Sequence, residues 1–260
     1  MMTSTTERTP PGWVRVVAPV TVGAVILISW IVAVDVLKAA PRALPSPIAI
    51  ANEFVLRSAI IIEDMGITAS NALIGLAAGA IVAIVLAALA ATSRPIDGML
   101  APLVAAIAVV PIVALTPILN TMFGASSQFG RQSVAAIAAF VPVFVNMLRG
   151  LRQTRPVHRN LLRSSAATGL QTFRVLTLPT ALPYLMTGLR IASSIAVIAA
   201  LVAEYFGGPA DGIGTAIATY AKSGRAALAF AYVAGGIAIG LAFFLVTSLL
   251  EWLVSRRTSV

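Results

Sequence analysis

Apolar stretches long enough to cross a bilayer recur along this 260-residue chain, with little charge between them. A helix needs about 20 apolar residues to span the hydrocarbon core. Six runs read as spans: Trp13–Leu37, Gly66–Thr92, Leu100–Phe123, Val134–Leu148, Tyr184–Phe206 and Ala226–Val254. Only 10% of the residues are charged and 59% are hydrophobic, against about 25% and 45–50% in a soluble domain. The expected fold class is therefore an all-α integral membrane protein with six transmembrane helices. A cleaved signal peptide competes for the first run. Its apolar core would be only about 7–15 residues, and Trp13–Leu37 is longer, so it reads as a span.

Six spans put both ends on one side, and the arginines choose which. With both ends inside, the inner segments hold Arg8, Arg15, Arg94, Arg256, Arg257 and the arginines of 149–183. The outer ones hold Lys38, Arg42, Arg57, Arg131, Lys222 and Arg225, offset by Glu53, Glu63, Asp64 and Asp211. The expected topology is N-in and C-in. Residues 1–12 then form a flexible cytoplasmic tail, and 13–260 the membrane domain. The prolines of 38–47 keep that stretch out of a helix interior. Residues 48–64, apolar but carrying Glu53, Arg57, Glu63 and Asp64, read as an amphipathic helix at the outer interface.

Several function classes are excluded. With no cysteine there are no disulfides or thiolate metal sites, and a single histidine, His158, cannot form a histidine cluster. Residues 216–223, AIATYAKS, imitate the end of a phosphate-binding loop, but Ala216 and Ala221 stand where its glycines must be. A Gly-x-Ser-x-Gly elbow is missing as well. No catalytic residue, metal or cofactor is expected on this chain. The net charge of +9 fits cytoplasmic arginines better than a nucleic-acid partner.

Inside the spans, Gly75-x-x-x-Gly79 and Gly236-x-x-x-Gly240 let helix backbones approach closely and read mainly as packing within the bundle. Pro111 and Pro117 interrupt the third span, and Thr116 and Asn120 lie near those kinks. Freed backbone groups are tolerated where they line a cavity or are re-satisfied by neighbours. Both a solute path and a plain structural kink fit these four residues. Glu204, near the outer end of the fifth span, is the sharpest intramembrane charge and by default a functional candidate. Anchoring of the glycine-rich turn Gly207–Gly214 explains it equally well. Asp35 and Glu251 read as interfacial.

The longest polar run is 149–183, with Arg149, Arg152, Arg155, Arg159, Arg163 and Arg174 and no acidic residue. A short helix with Leu161, Leu162 and Phe173 among arginines has an apolar docking face inside a charged rim, as protein interfaces commonly do. Pro179 and Pro183 are expected to stop that helix and redirect the chain into the fifth span. A loop that merely fixes topology is the bland alternative.

The end of this loop, FRVLTLPTALP at 173–183, is followed by Thr187-Gly-Leu-Arg190 and Ala203-Glu204. Together they resemble the signature of binding-protein-dependent ABC importer permeases of the type I fold. The branch resembled takes up nitrate, sulfonates, taurine and pyrimidine or riboflavin-like precursors. Leu44-Pro-Ser-Pro47, Gly75 and Gly79, PIVALTPILNTMFG at 111–124 and Asp211-Gly-Ile-Gly214 extend the likeness over nearly the whole chain. In that family the loop carries a coupling helix with a Glu-Ala-Ala, three residues, Gly pattern that docks on an ATPase. Aligning Phe173, Leu178 and Pro179 puts Ala166 at the glycine position, Asn160 at the glutamate position and Leu161 and Leu162 at the alanines. Gly169 as the glycine would require deleting residues before Leu178. The resemblance thus implies an ATPase-coupling set of Asn160, Leu161, Leu162, Arg163, Ala166, Ala167, Gly169, Phe173, Pro179 and Pro183.

The same resemblance implies the membrane subunit of an ATP-driven importer for a small polar solute. ATPase subunits holding ATP and magnesium are expected on the cytoplasmic side, a substrate-binding protein outside, and a second permease copy beside it in the bacterial cell membrane. A stand-alone secondary transporter or channel, or a subunit without a path, are the rival classes. Secondary transporters often carry several mid-membrane ionisable residues or inverted repeats, and the sequence has neither beyond Glu204.

Overall fold

The computed structural model describes residues 14–36, 44–124 and 126–258, and every regular element among them is helical. The tail at 1–12 and most of the first outer connection lie outside the described residues. Helix α1 (Val14–Ile31) continues into a π-helical turn at Val32–Val36. Nearly all of its described surface is exposed; near its end Trp30 meets Phe230 edge-on, with centroids 6.4 Å apart.

Helix α2 (Pro47–Leu56) starts at Ser46, whose hydroxyl accepts the Ala49 N–H at 3.2 Å, with proline in the first turn. The single interfacial helix expected over 48–64 is divided at Arg57. Its second half, from Ser58, is the beginning of the long helix α3 (Ser58–Thr92). The reason lies in the inward face of that half. Ile61 is fully buried, and Asp64 accepts a backbone N–H from Gly212 at 2.9 Å. A carboxylate that looks like a surface charge in sequence has a partner on another helix.

The third apolar run is not one kinked helix but two. Helix α4 (Arg94–Val109) and helix α5 (Ile112–Phe123) meet at Val110 and Pro111, and residues 114–123 turn 101° from α4. A residue before proline is held extended, and Val110 has ψ 126°. The pair still crosses from one face to the other. Asp97 at its start reaches Arg152 on the cytoplasmic side at 2.9 Å, and Phe123 at its end packs edge-on with Phe129 at 4.6 Å. Counted as one crossing, the pair brings the apolar spans to six.

Helix α6 (Phe129–Arg152) extends past both expected ends of the fourth span. The cytoplasmic connection forms α7 (Pro156–Ser164) and the single turn α8 (Gly169–Thr172). A π-helical turn, Phe173–Thr177, then leads without a break into α9 (Leu178–Tyr205). The expected stop at Pro179 and Pro183 is therefore not made. Pro179 sits in the first turn of α9, after Leu178 N–H has bonded to the Phe173 carbonyl five residues back. That wider turn receives a ring that would otherwise meet the carbonyl one turn before it. Helix α10 (Ile213–Lys222) follows the outer glycine turn, and α11 (Ala226–Thr258) returns to the cytoplasmic side.

The core is built from α3, α6, α9 and α11. Lipid is as apolar as a leucine side chain, so helices associate through close packing of small residues. Buried alanines dominate accordingly, among them Ala83, Ala135, Ala139, Ala192 and Ala200. Gly75 and Gly79 press against α6: a Cβ on Gly79 would lie 2.3 Å from the Ala136 carbonyl oxygen. This glycine pair is a seam within the chain.

Candidate functional site

Two polar assemblies stand out, one at each end of the bundle. The cytoplasmic one begins where α6 ends. Arg152 bonds Asp97 and the Ala90 carbonyl, which fixes the exit of the chain. Pro156 then opens α7 at a position where a missing N–H costs nothing. Along α7 every residue is exposed except Leu162, which is half-buried. Val157 and Leu161 lie on one face, 73% and 65% exposed. Arg159 and Arg163, also four apart, lie on the opposite face.

The end of α7 is a hydrogen-bonded stop. Ala167 N–H bonds the Leu162 carbonyl and Ala166 N–H the Arg163 carbonyl, both at 3.0 Å. This pairing requires a left-handed residue at Ala166, whose φ is 54°, the only positive φ at a non-glycine among the described residues. Gly169, by contrast, sits in the first turn of α8 without a positive φ. Thr168 caps that turn, its hydroxyl accepting the Gln171 N–H at 3.3 Å while the Gln171 side chain accepts the Thr168 N–H at 2.7 Å. Beyond it Leu170 and Phe173 are exposed.

The outer assembly joins α3, α6, α9 and the turn before α10. Glu204 is buried, and its Oε2 accepts the Thr68 hydroxyl at 2.8 Å and the Gly214 N–H at 3.0 Å. Thr68 in turn accepts the Ile213 N–H at 3.0 Å. Arg131 is fully buried; its guanidinium bonds Asp211 at 2.6 Å, Thr215 at 3.0 Å and the Pro209 carbonyl. Gln128 bridges Asp211 to Asn71, and Gln132 also reaches Asn71. Gly212 has φ 83° and lies against the Glu204 carboxylate, where a Cβ would come within 2.7 Å. Glycine is required there both for the backbone and for the space.

The family described as binding-protein-dependent transport system inner membrane component matches residues 79–259. The chain belongs to this family. Among curated relatives, the formylaminopyrimidine transport permease protein ThiX of Halalkalibacterium halodurans is 34% identical over 168 residues, 64% of this chain and 67% of its own length. The riboflavin transport system permease protein RibX of Chloroflexus aurantiacus is 30% identical over 246 residues, 94% of this chain and 91% of its own. The putative aliphatic sulfonates transport permease protein SsuC of Bacillus subtilis is 28% identical, covering 74% and 69%. Among solved structures, the inward-facing MetNI methionine ABC transporter superposes with a TM-score of 0.64 at 16% identity, covering 75% of this chain and 96% of that one. An amino acid ABC transporter with histidines gives 0.62 at 18% identity, covering 76% and 95%. The permease is thus a membrane subunit of an ABC importer for a small solute, with the type I fold, in a bacterial inner membrane.

Within the permease, the sequence-derived residues fall into three places. Asn160, Leu161, Leu162 and Arg163 lie on α7, with Ala166 and Ala167 at its stop. Gly169 and Phe173 follow around the α8 turn, whereas Pro179 and Pro183 belong to α9. Thr116 and Asn120, four apart on α5, are both buried, while Pro111 and Pro117 face outward. The Thr116 hydroxyl and both Asn120 amide atoms have no hydrogen-bond partner among the described residues. Asn120 lies against Gly130 and Gly207, near the outer assembly. Glu204 is held in that assembly through its Oε2 by Thr68 and Gly214, while its buried Oε1 has no hydrogen-bond partner among the described residues. Sequence reading missed Arg131, counted only as an outer charge. The signal was the polar spacing Gln128, Arg131, Gln132 on one helix face and Asp64, Thr68, Asn71 on another.

Glu251, expected at the interface, bridges two helices. It accepts the Thr187 hydroxyl at 2.6 Å and pairs with Arg190 at 2.9 Å, tying α9 to α11.

Proposed function

We propose that two copies of this permease form the membrane path of the importer and that each receives an ATPase subunit on α7 and the α8 turn. ATP and its magnesium sit on the ATPase. Closure of the ATPases moves α7, and the continuous helix Gly169–Tyr205 carries that movement toward the outer turn. The observation that carries this reading is the stop of α7. Ala166 adopts a glycine-like backbone at the place where the family's coupling pattern puts its glycine. It also supports Ala166 over Gly169 for that role. A substrate-binding protein delivers the solute at the outer face. Thr116 and Asn120, buried and unpartnered on α5, offer hydrogen bonds to a polar solute on its way.

The proposed solute is a small polar organic molecule of the pyrimidine or riboflavin-precursor kind. Relatives named for formylaminopyrimidine and riboflavin support this over sulfonate or nitrate. Reconstitution with the cognate ATPase and binding protein tests the whole reading. Uptake is expected only with ATP and all components, and uptake that persists without the ATPase refutes it. Calorimetry on the binding protein tests the solute, and tight binding of an inorganic anion alone sinks the organic assignment.

A further inference from the structure

The cytoplasmic strut has two largely exposed faces; apart from a hydrogen bond that Arg159 donates to the Thr154 hydroxyl at 2.9 Å, the basic face meets no side-chain partner among the described residues. The arginines of α7 and its cap, Arg155, Arg159 and Arg163, follow one another at four-residue spacing on the side opposite Val157 and Leu161. None has a carboxylate partner. The four ion pairs among the described residues engage Arg57, Arg131, Arg152 and Arg190. Nor does 149–183 contain a single acidic residue that could turn toward them. A nine-residue helix with only one half-buried side chain is too short to hold itself in water, so α7 is a surface built to be covered.

A basic helix with an apolar face also suits a bilayer surface, but its place in the fold argues against lipid. Gly150 packs on Ala181 and Tyr184, beside Arg149 and Arg152. Phe129 to Arg149 is about 30 Å of helix, the thickness of the hydrocarbon core. The level of Gly150 and Tyr184 is therefore the cytoplasmic boundary. From Tyr184 back to Gly169 the helix runs on for about 22 Å at 1.5 Å per residue. The α7–α8 corner stands that far along the helix from the boundary, beyond reach of a surface-lying pose. On α7 itself the apolar face is only two side chains, Val157 and Leu161, without an aromatic residue to seat at an interface.

We infer that the ATPase groove receiving α7 presents carboxylates to Arg155, Arg159 and Arg163 and an apolar wall to Val157 and Leu161, so that the grip on this permease is acidic on the ATPase side. The inference rests on the proposed docking of an ATPase at this loop and specifies its chemistry. Rim charges of this type set association rate and salt dependence. Each adds little singly, so two together are worth on the order of tenfold in affinity.

The test is affinity of the purified permease in zwitterionic nanodiscs for its cognate ATPase, measured across a salt series. Wild-type affinity is expected to fall several-fold between low and high salt. Arg159→Glu with Arg163→Glu is expected to weaken binding by tenfold or more, and Arg159→Lys with Arg163→Lys to keep most of it. Arg149→Glu, at the end of α6, controls for folding and general charge. Binding that is tight but indifferent to salt and to the α7 reversals overturns the acidic groove while leaving docking intact. Absence of binding by the wild type overturns docking itself. The chain has no cysteine, so Asn160→Cys takes one fluorophore. Quenching of that probe by headgroup-quencher lipids, in zwitterionic or anionic discs, would assign α7 to the membrane and overturn the inference.

Discussion

Replacing Ala166 by glycine should tighten the cytoplasmic loop. Ala166 holds φ 54° because two hydrogen bonds, from Ala166 N–H and Ala167 N–H, close the end of α7 around it. A left-handed backbone costs an L-residue about 1–2 kcal/mol. Glycine removes that cost but adds freedom to the open state, worth about 0.5–1 kcal/mol against it. The net gain is about 0.5–1 kcal/mol, or roughly two- to fivefold in the opening equilibrium of the helix end at RT of about 0.6 kcal/mol. Hydrogen exchange of the peptide spanning 156–168 reads this directly in the isolated permease. Ala166→Gly should slow exchange by that factor. Ala166→Val, β-branched and worse in this region, should speed it by a similar one. Gly169→Ala, at a position where an added Cβ meets nothing within 4 Å, should change little. Exchange unchanged or faster in Ala166→Gly would refute both the strained alanine and the register that rests on it.

Gly79→Ala should lower the melting temperature in detergent, costing about 1–3 kcal/mol because the α6 backbone cannot yield; Gly66→Ala, with open space around it, should not. Arg131→Ala should destabilise by about 1–3 kcal/mol by leaving the Pro209 carbonyl and Thr215 without their donor, while Asp211, partly exposed, keeps its bonds to Gln128. Folded yield after extraction would expose an error, since an unchanged yield means the cluster carries no weight. Glu204→Gln keeps an oxygen for Thr68 and Gly214 and should be mild, whereas Glu204→Ala leaves buried donors unpaired at about 1–3 kcal/mol each. If the two behave alike in thermal unfolding, the anchoring role is wrong. Arg190 and Glu251 are partly exposed, so a double-mutant cycle should give no more than about 1 kcal/mol between them.

The crossings were legible because a bilayer demands length and apolarity, both of which are local properties of the chain. The breaks were not. Pro111 and Pro183 carry the same local handicap, yet one divides a span and the other lies inside α9. What separates them is packing on either side, which no local window contains. Arg131 illustrates the same limit at the site. Its partner Asp211 is 80 residues later, and a buried guanidinium has the same letter as one that marks topology. Asp64 was likewise read as interfacial while its partner lay 148 residues on. In the cytoplasmic loop the docking face was legible as short-range spacing. The left-handed turn at Ala166 was legible only through the family pattern, since alanine gives no hint of it.

The outer assembly also sets a schedule. Asp64 and Thr68 are synthesised 148 and 145 residues before the backbone amides of Gly212 and Ile213 that they bind. At 5–20 residues per second, that is a wait of roughly 7–30 s for the ribosome to deliver them. Through that interval Asp64, and then Arg131, stand at the outer edge of a half-made bundle without their partners on the turn. Thr68 and Glu204 can pair as soon as Glu204 is made, but the glycine turn is fastened to both only when Ile213 and Gly214 follow. A lesion in that turn would therefore strike during biogenesis, as a chain withdrawn by quality control before any solute reaches it.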